Sequence, residues 1–239
     1  MYSILMFVLS AADTVLLIYT VREWWRLKLP VLGLLAFLIL ALPYDTALVG
    51  AGRYLGISPG LEVASGPRFM LFHLSVPLTL IVAASLARLA GLRFAQPRWF
   101  IGAVCVLATA LAVADWQHIV LWPSLYPACW ADTLRYVPSV LESQGCTPGQ
   151  PGIGVPGAFP LAGVIALPAL LIVGALIGRR TGWWWLFIGM AVGLVFLGLP
   201  PSRVGPLPGF VGDAINMVAM VATAVHFGRR QAVDARNIR

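Results

Sequence analysis

Apolar runs of about membrane length recur seven times along the chain and limit its fold more than any other feature. The runs are residues 4–20, 30–50, 69–90, 99–119, 158–178, 183–199 and 210–228. A helix needs roughly 20 apolar residues to cross a bilayer. Hydrophobic residues make up 60% of the chain and charged residues 10%, against about 25% charged in a soluble domain. We therefore predict an all-α, polytopic membrane helical bundle with seven transmembrane helices, forming one domain over residues 1–239.

The basic residues predict the orientation of these helices. Twelve of the sixteen Lys and Arg residues follow the odd-numbered runs, and only Arg53, Arg68, Arg135 and Arg203 do not. Because basic connections stay in the cytoplasm, we expect the N-terminus outside, the C-terminus in the cytoplasm, and a multi-pass protein of the cell (inner) membrane. Topology and contact with anionic lipid then explain the net charge of +7, so no nucleic-acid partner is expected.

One connection, residues 120–157, is long, and it holds Cys129 and Cys146. Thiols outside the cytoplasm usually pair, and a disulfide closing a loop of this size is worth ~3 kcal/mol. The segment is rich in aromatic residues and proline. We expect a structured extracytoplasmic cap with a short helix around residues 131–143. Cys105 lies inside the fourth run and is expected to pack there.

Four ionisable residues fall near the outer ends of different runs. At 1.5 Å per residue, Asp45, His73, Asp115 and Asp213 lie in one layer in the outer third of the bilayer, while Asp13 lies near its middle. Such residues cost free energy in hydrocarbon and are candidates for function. They form either outer salt bridges with Arg53, Arg68 and Arg203 or a polar pocket under the long loop, and we favour the pocket.

The sequence motifs limit which reactions the protein could catalyse. The sequence has no HExxH, CxxC or P-loop pattern, and its one lysine, Lys28, is not in the last run, which excludes a retinal Schiff base there. We expect no cofactor and no metal site; a metal bound by His73, Asp45 and Asp115, or a haem between His73 and His118, is a minor alternative. Carboxylates in an apolar pocket suit proton donation to an alkene or epoxide, with aromatic rings stabilising the carbocation and a base removing a proton.

The second run ends in Leu42-Pro43-Tyr44-Asp45-Thr46, followed by Val49, Gly50 and Gly52. With the third run, this stretch of about 45 residues resembles the small seven-span lycopene cyclases and the similar membrane meroterpenoid cyclases. The resemblance implies non-redox cyclisation of a polyprenyl chain with Asp45 as the acid. The family's Pro-x-Glu-Glu element is replaced here by Gly66-Pro67-Arg68-Phe69. Either His73 takes over part of the proton transfer, with Asp213 as the candidate second acid, or the chemistry differs from that of the family.

Together these features predict a membrane cyclase or isomerase acting on a terpenoid or carotenoid-like lipid. Its partners would be membrane lipid and a hydrophobic prenyl-type substrate, with the oligomeric state left open. A proton-coupled transporter, which predicts inverted repeats and a helix broken at the midplane, and a non-catalytic lipid-binding subunit, whose polar layer pairs off completely, are the alternatives. The candidate catalytic residues are Asp45, Asp213, Asp115 and His73, and the candidate substrate-binding residues are Tyr44, Trp116, Asn216, Asp13, Phe69 and Phe72.

Overall fold

The computed structural model describes residues 1–120, 124–147, 149, 151–153 and 161–237, with the side chains of 116–120 and 234–237 left out. Helices dominate these ranges. Two 3-10 turns, Arg93–Ala95 and Glu142–Gln144, accompany them. The α-helices are α1 (Tyr2–Leu27), α2 (Pro30–Ile39), α3 (Ala41–Leu55), α4 (Pro59–Leu89), α5 (Arg98–Val120), α6 (Leu161–Thr181), α7 (Trp185–Leu197), α8 (Pro201–Val204) and α9 (Leu207–Asn237).

Six helical stretches in the described ranges are long and apolar enough to cross a membrane, with α2 and α3 counted as one stretch. They are Tyr2–Leu27, Pro30–Leu55, Pro59–Leu89, Arg98–Asp115, Leu161–Thr181 and Leu207–Val233. The seventh predicted span corresponds to α7, which is apolar but has only 13 residues. Its length of about 20 Å is less than the ~30 Å hydrocarbon core. The chain is thus a multi-pass helical membrane protein.

Exposed apolar residues cover the outside of the bundle, as expected for a surface in lipid; examples are Ile4, Val8, Val106, Ile172 and Val195. The main core is formed inside α2, α4, α6, α7 and α9. Its fully buried residues include Leu32, Leu86, Ile177, Leu186 and Met220.

The second candidate span is interrupted near its middle, where α2 ends at Ile39 and α3 begins at Ala41. Pro43 has no N–H to donate to the Ile39 carbonyl, and its ring crowds that carbonyl, which accounts for the break. The Ser10 hydroxyl of α1 donates to the Pro43 carbonyl at 2.9 Å. Pro43, two residues before Asp45, therefore lies against α1.

Glycines let α7 and α9 approach closely. A Cβ on Gly189 would lie 2.3 Å from the Ala219 Cβ, and one on Gly212 would lie 2.7 Å from the Gly193 carbonyl oxygen. Gly189 and Gly193 are four residues apart, the small-xxx-small spacing that suits close helix packing in membranes. This contact fixes the α9 face that carries Asn216.

The long connection contains a β-hairpin, so the helix expected around residues 131–143 is wrong. Strand β1 (Tyr126–Trp130) pairs antiparallel with β2 (Thr133–Val137) through a two-residue turn. The alternation of Thr, Leu, Arg, Tyr and Val along β2 suits a strand that is buried on one face. The Cys129 and Cys146 sulfurs are 2.20 Å apart, at disulfide distance as predicted, and Cys105 is unpaired in the described part of the chain.

Candidate functional site

The hairpin packs on the ends of α3 and α4 through a small apolar cluster. Leu61 of α4, Leu125, Leu134 and Tyr136 are buried together there. A Cβ on Gly52 of α3 would lie 1.8 Å from the Leu134 carbonyl oxygen. The hairpin backbone therefore rests directly on the α3 backbone.

The hairpin turn is fastened to the first helix through Asp132. The Tyr2 N–H donates to its Oδ1 at 2.8 Å, the Ser3 hydroxyl donates to its carbonyl oxygen at 2.7 Å, and Arg53 Nη1 lies 3.0 Å from Oδ2. The hydrogen bond from the α-amino group of Met1, joined by the one from Tyr2, lowers the pKa of the Asp132 carboxyl to about 2. Arg53 thus pairs with the hairpin rather than with the predicted polar layer.

A third contact joins the hairpin to the turn before α9. Gly205 has φ +78°, and a Cβ there would lie 2.3 Å from Trp130 Nε1. Only glycine adopts this backbone conformation without strain. The hairpin consequently reaches from α1 and the end of α3 across to the turn before α9.

Beneath the hairpin, Asp45 forms an ion pair with Arg68 of α4. The Arg68 side chain is 6% exposed and that of Asp45 is 29% exposed. Arg135 of β2 interacts electrostatically with both. Desolvation, reinforced by the Arg68 charge and opposed by that of Asp45, lowers the pKa of Arg135 to about 10. The salt-bridge alternative therefore holds for Asp45, whereas Arg203 is exposed.

Two further carboxyl groups lie close to Asp45. Asp213 of α9 interacts electrostatically with Asp45 and with Asp13 of α1. Asp13 is 2% exposed and lies against the Thr46 hydroxyl. The three aspartates come from three helices and are called the carboxylate cluster below. Asp13 Oδ2 has no hydrogen-bond partner among the described residues.

Asn216 lies one turn below Asp213 and faces α7. It is 4% exposed, and its Oδ1 would lie 2.0 Å from a Cβ on Gly193. This oxygen also lacks a hydrogen-bond partner in the described part of the chain. Buried amides are normally hydrogen-bonded, so Asn216 adds an unsatisfied polar group to the inward face of α9.

His73 and Asp115 belong to a different face of the bundle. Leu80 of α4 and Leu111 of α5 are buried together with Val76 at their edge, and His73 lies on that same α4 face. Arg68 is five residues before His73, so the two side chains lie roughly 140° apart around the helix axis. Asp115 is 4% exposed, one turn beyond Leu111. The single predicted layer is thus divided by α4 into two groups.

The candidate substrate-binding aromatic residues lie around α4. The Tyr44 hydroxyl donates to the Ala64 carbonyl at 2.6 Å, which joins α3 to α4. Phe69 packs against the hairpin cluster, and exposed Phe72 meets the His73 ring edge-to-face at 5.9 Å. The side chains of Trp116 and His118 lie outside the described residues.

Sequence reasoning missed the roles of Thr46 and Arg135 at this site. Thr46 directly follows Asp45, and its position in the quoted motif was an available signal. Arg135 is 67 residues beyond Arg68 in the chain, and no local pattern indicates that the hairpin returns it to α4. Within the described ranges, no three His, Cys, Asp or Glu side chains are grouped to hold a metal ion.

No family model, curated protein or solved structure matches this chain. The resemblance to membrane cyclases therefore stays a prediction.

Proposed function

We propose that this protein is an integral membrane cyclase or isomerase that acts by acid–base chemistry on a terpenoid or carotenoid-like lipid. One observation carries the proposal: Asp213 of α9 interacts electrostatically with Asp45 of α3 and with Asp13 of α1 inside an apolar bundle, under a disulfide-linked hairpin. Ionisable groups in hydrocarbon are rare and mark functional sites. An apolar substrate would enter from the lipid that surrounds the helices.

The proposed topology has seven crossings, with the N-terminus and hairpin outside and the C-terminus in the cytoplasm of an inner membrane. Contacts of α7 support the seventh crossing. Trp183, just before α7, stacks on His226 near the basic end of α9, whereas Gly205, after α7, meets Trp130 of the hairpin. These contacts support a seventh crossing made over a helix of only 13 residues.

The roles within the cluster follow from the neighbours of each carboxyl. We assign Asp213 as the proton donor, with Asp13 beside it. Its proton forms a C–H bond with one alkene carbon, and the cationic carbon left behind is attacked by a second double bond, which closes a ring. Asp45, held by Arg68, stabilises the positive charge or accepts the proton whose loss restores a double bond. The product is an isomer of the substrate, so no oxidant or reductant is consumed.

His73 and Asp115 are proposed as a second proton-transfer group on the far side of α4. Tyr44, Phe69 and Phe72 would contact the substrate chain along that helix. Since Asp115 Oδ2 has no hydrogen-bond partner among the described residues, this group also has an oxygen that can accept a hydrogen bond. Oxygens on Asp13, Asp115 and Asn216 that have no partner among the described residues argue against a scaffold whose polar residues pair off completely.

The test begins with the lipid that co-purifies with the protein, identified by mass spectrometry, since a bound polyprenyl species supplies the substrate. Its conversion is then measured in membranes that contain Asp213→Asn, Asp45→Asn or the control Glu142→Gln. General acid–base catalysis contributes about 10²–10⁴-fold, so we expect Asp213→Asn to lose at least about 100-fold. Glu142 is exposed, and its variant should keep full turnover. Full turnover by both aspartate variants would remove the cluster from the mechanism.

A proton-coupled transporter is the second candidate, favoured by the helix break at Leu40. Broken helices near the midplane are typical of transporter sites, and Asp13, Asp45 and Asp213 would form the proton relay. Reconstituted protein would then accumulate the co-purified lipid or a small substrate in proteoliposomes when a pH gradient is applied. Chemical conversion without gradient-dependent uptake would favour the enzyme.

A further inference from the structure

A cleft at the end of the bundle opposite the hairpin has no part in the proposed chemistry. It opens between α1, the start of α7 and α9, and its volume is about 510 Å³. Its lining includes aromatic, basic and apolar side chains, namely Tyr19, Trp183, Val225, His226, Arg229 and Arg230. This mixture occurs where the basic connections of the chain meet the edge of the apolar bundle.

One wall of the cleft is held in place by defined contacts. The Trp183 and His226 rings are stacked, with centroids 3.8 Å apart and planes 12° from parallel. Trp183 Nε1 donates to the Thr223 hydroxyl at 3.1 Å, and that hydroxyl donates to the Ala219 carbonyl at 2.8 Å. The wall is therefore preorganised before any ligand arrives, which lowers the entropic cost of binding.

Two guanidinium groups face the opening. Arg229 Nη2 donates to Glu23 Oε1 at 2.9 Å, and Glu23 is 3% exposed, so one guanidinium nitrogen of Arg229 is held while half of the side chain stays exposed. Arg230 is exposed and forms no salt bridge within the described ranges. A guanidinium has five N–H donors, so both arginines retain donors for an anion.

We propose that this cleft binds the phosphate of an anionic lipid, with the acyl chains lying along Val225 and Ala222. Arg229 and Arg230 would bind the phosphate oxygens, for which the planar fork of arginine is well suited. The Trp183–His226 wall would contact the glycerol and the first carbons of the chains. Basic pockets between membrane helices are known to bind anionic headgroups, and the apolar floor favours a lipid over free phosphate.

The test measures lipid binding to the purified full-length protein by native mass spectrometry. The probes are dioleoyl phosphatidic acid, dioleoyl phosphatidylcholine and inorganic phosphate, and the variants are Arg230→Gln and the control Arg179→Gln. Arg179 is an exposed arginine at the same end of the bundle and does not line the cleft. Arg230→Gln spares the Arg229–Glu23 pair, so the fold should persist.

We expect phosphatidic acid to bind at least tenfold more tightly than phosphatidylcholine. Arg230→Gln should weaken its binding at least fivefold, and Arg179→Gln by less than twofold. Equal losses in the two variants would overturn the site, because the attraction would then be a general effect of positive charge. Displacement of phosphatidic acid by equimolar inorganic phosphate would overturn the assignment to a lipid.

Discussion

At the scale of single residues, the three aspartates of the carboxylate cluster have unequal surroundings. Asp45 is paired with Arg68, whereas neither Asp13 nor Asp213 is in a salt bridge among the described residues. The sequence identified all three, because each is a carboxylate inside an apolar run. It could not assign their partners, since Arg68 was equally compatible with Asp45 and with the membrane surface. The different roles proposed for the three aspartates thus depend on tertiary contacts.

Arg68→Met tests the ion pair. Removing one partner of a buried pair costs roughly 3–5 kcal/mol, and because Asp45 is partly exposed we expect about 2 kcal/mol of destabilisation. Thermal unfolding in detergent measures it. Arg203→Met, at an exposed arginine without a salt bridge in the described ranges, should change stability by no more than about 0.5 kcal/mol. Equal stability of the two variants would show that the pair contributes nothing.

Asp132 gives the hairpin a defined pH dependence. Its pKa is lowered to about 2 in the folded protein from an ordinary 3.8, so its stabilising contacts are complete above pH 4 and are lost as the pH falls toward 2. The melting temperature of the wild type should exceed that of Asp132→Asn by a constant amount from pH 7 to 4. Below pH 4 the difference should shrink. A difference that already declines between pH 7 and 5 would contradict this assignment.

At the scale of elements, the helices were largely predictable and the hairpin was not. Long apolar runs determine the helices regardless of tertiary detail, because backbone groups in lipid must be bonded within the helix. The break at Leu40 follows from Pro43, which can be read from the sequence. The hairpin depends instead on packing against Gly52 and Leu61, which are distant in the chain. Five-residue strands carry too little periodicity to be separated from a short helix.

The α7–α9 contact provides a matched pair of glycine variants within one helix. A Cβ on Gly212 would lie 2.7 Å from the backbone oxygen of Gly193, whereas one on Gly209 would meet nothing within 4 Å. Gly212→Ala should lower the thermal stability, by about 1–3 kcal/mol for an overpacked contact. Gly209→Ala should be neutral or stabilising by up to about 1 kcal/mol, because alanine favours the helix. If Gly212→Ala is as stable as Gly209→Ala, the close approach is not required.

At the scale of the whole molecule, the fold is a helical bundle with a capped polar end and a basic end. Composition and run lengths predicted the bundle, and the two cysteines predicted a cross-linked cap. The separation of Asp45, Asp13 and Asp213 from His73 and Asp115 was not predictable. The depth of a residue along a helix follows from its number, whereas the side of the bundle that it faces depends on how the helices pack. Two of the predicted catalytic residues therefore lie across α4 from the other two.

The proposed orientation can be tested through the cap. Single cysteines introduced at Glu142 and at Arg179, in a Cys105→Ser background with the native disulfide kept, are treated in intact cells with a membrane-impermeant thiol reagent. Position 142 should react and position 179 should react only after the cells are lysed. The reverse pattern would place the hairpin in the cytoplasm.

Proton incorporation tests the central claim that the carboxylate cluster performs acid–base chemistry on a lipid. Membranes containing the protein are incubated with the co-purified polyprenyl substrate in D₂O, and the product is analysed by mass spectrometry. Proton donation to an alkene carbon predicts one non-exchangeable deuterium per product molecule, and Asp213→Asn should abolish the labelled product while Glu142→Gln forms it normally. A product formed without deuterium, or labelled equally by the Asp213→Asn variant, would contradict the account.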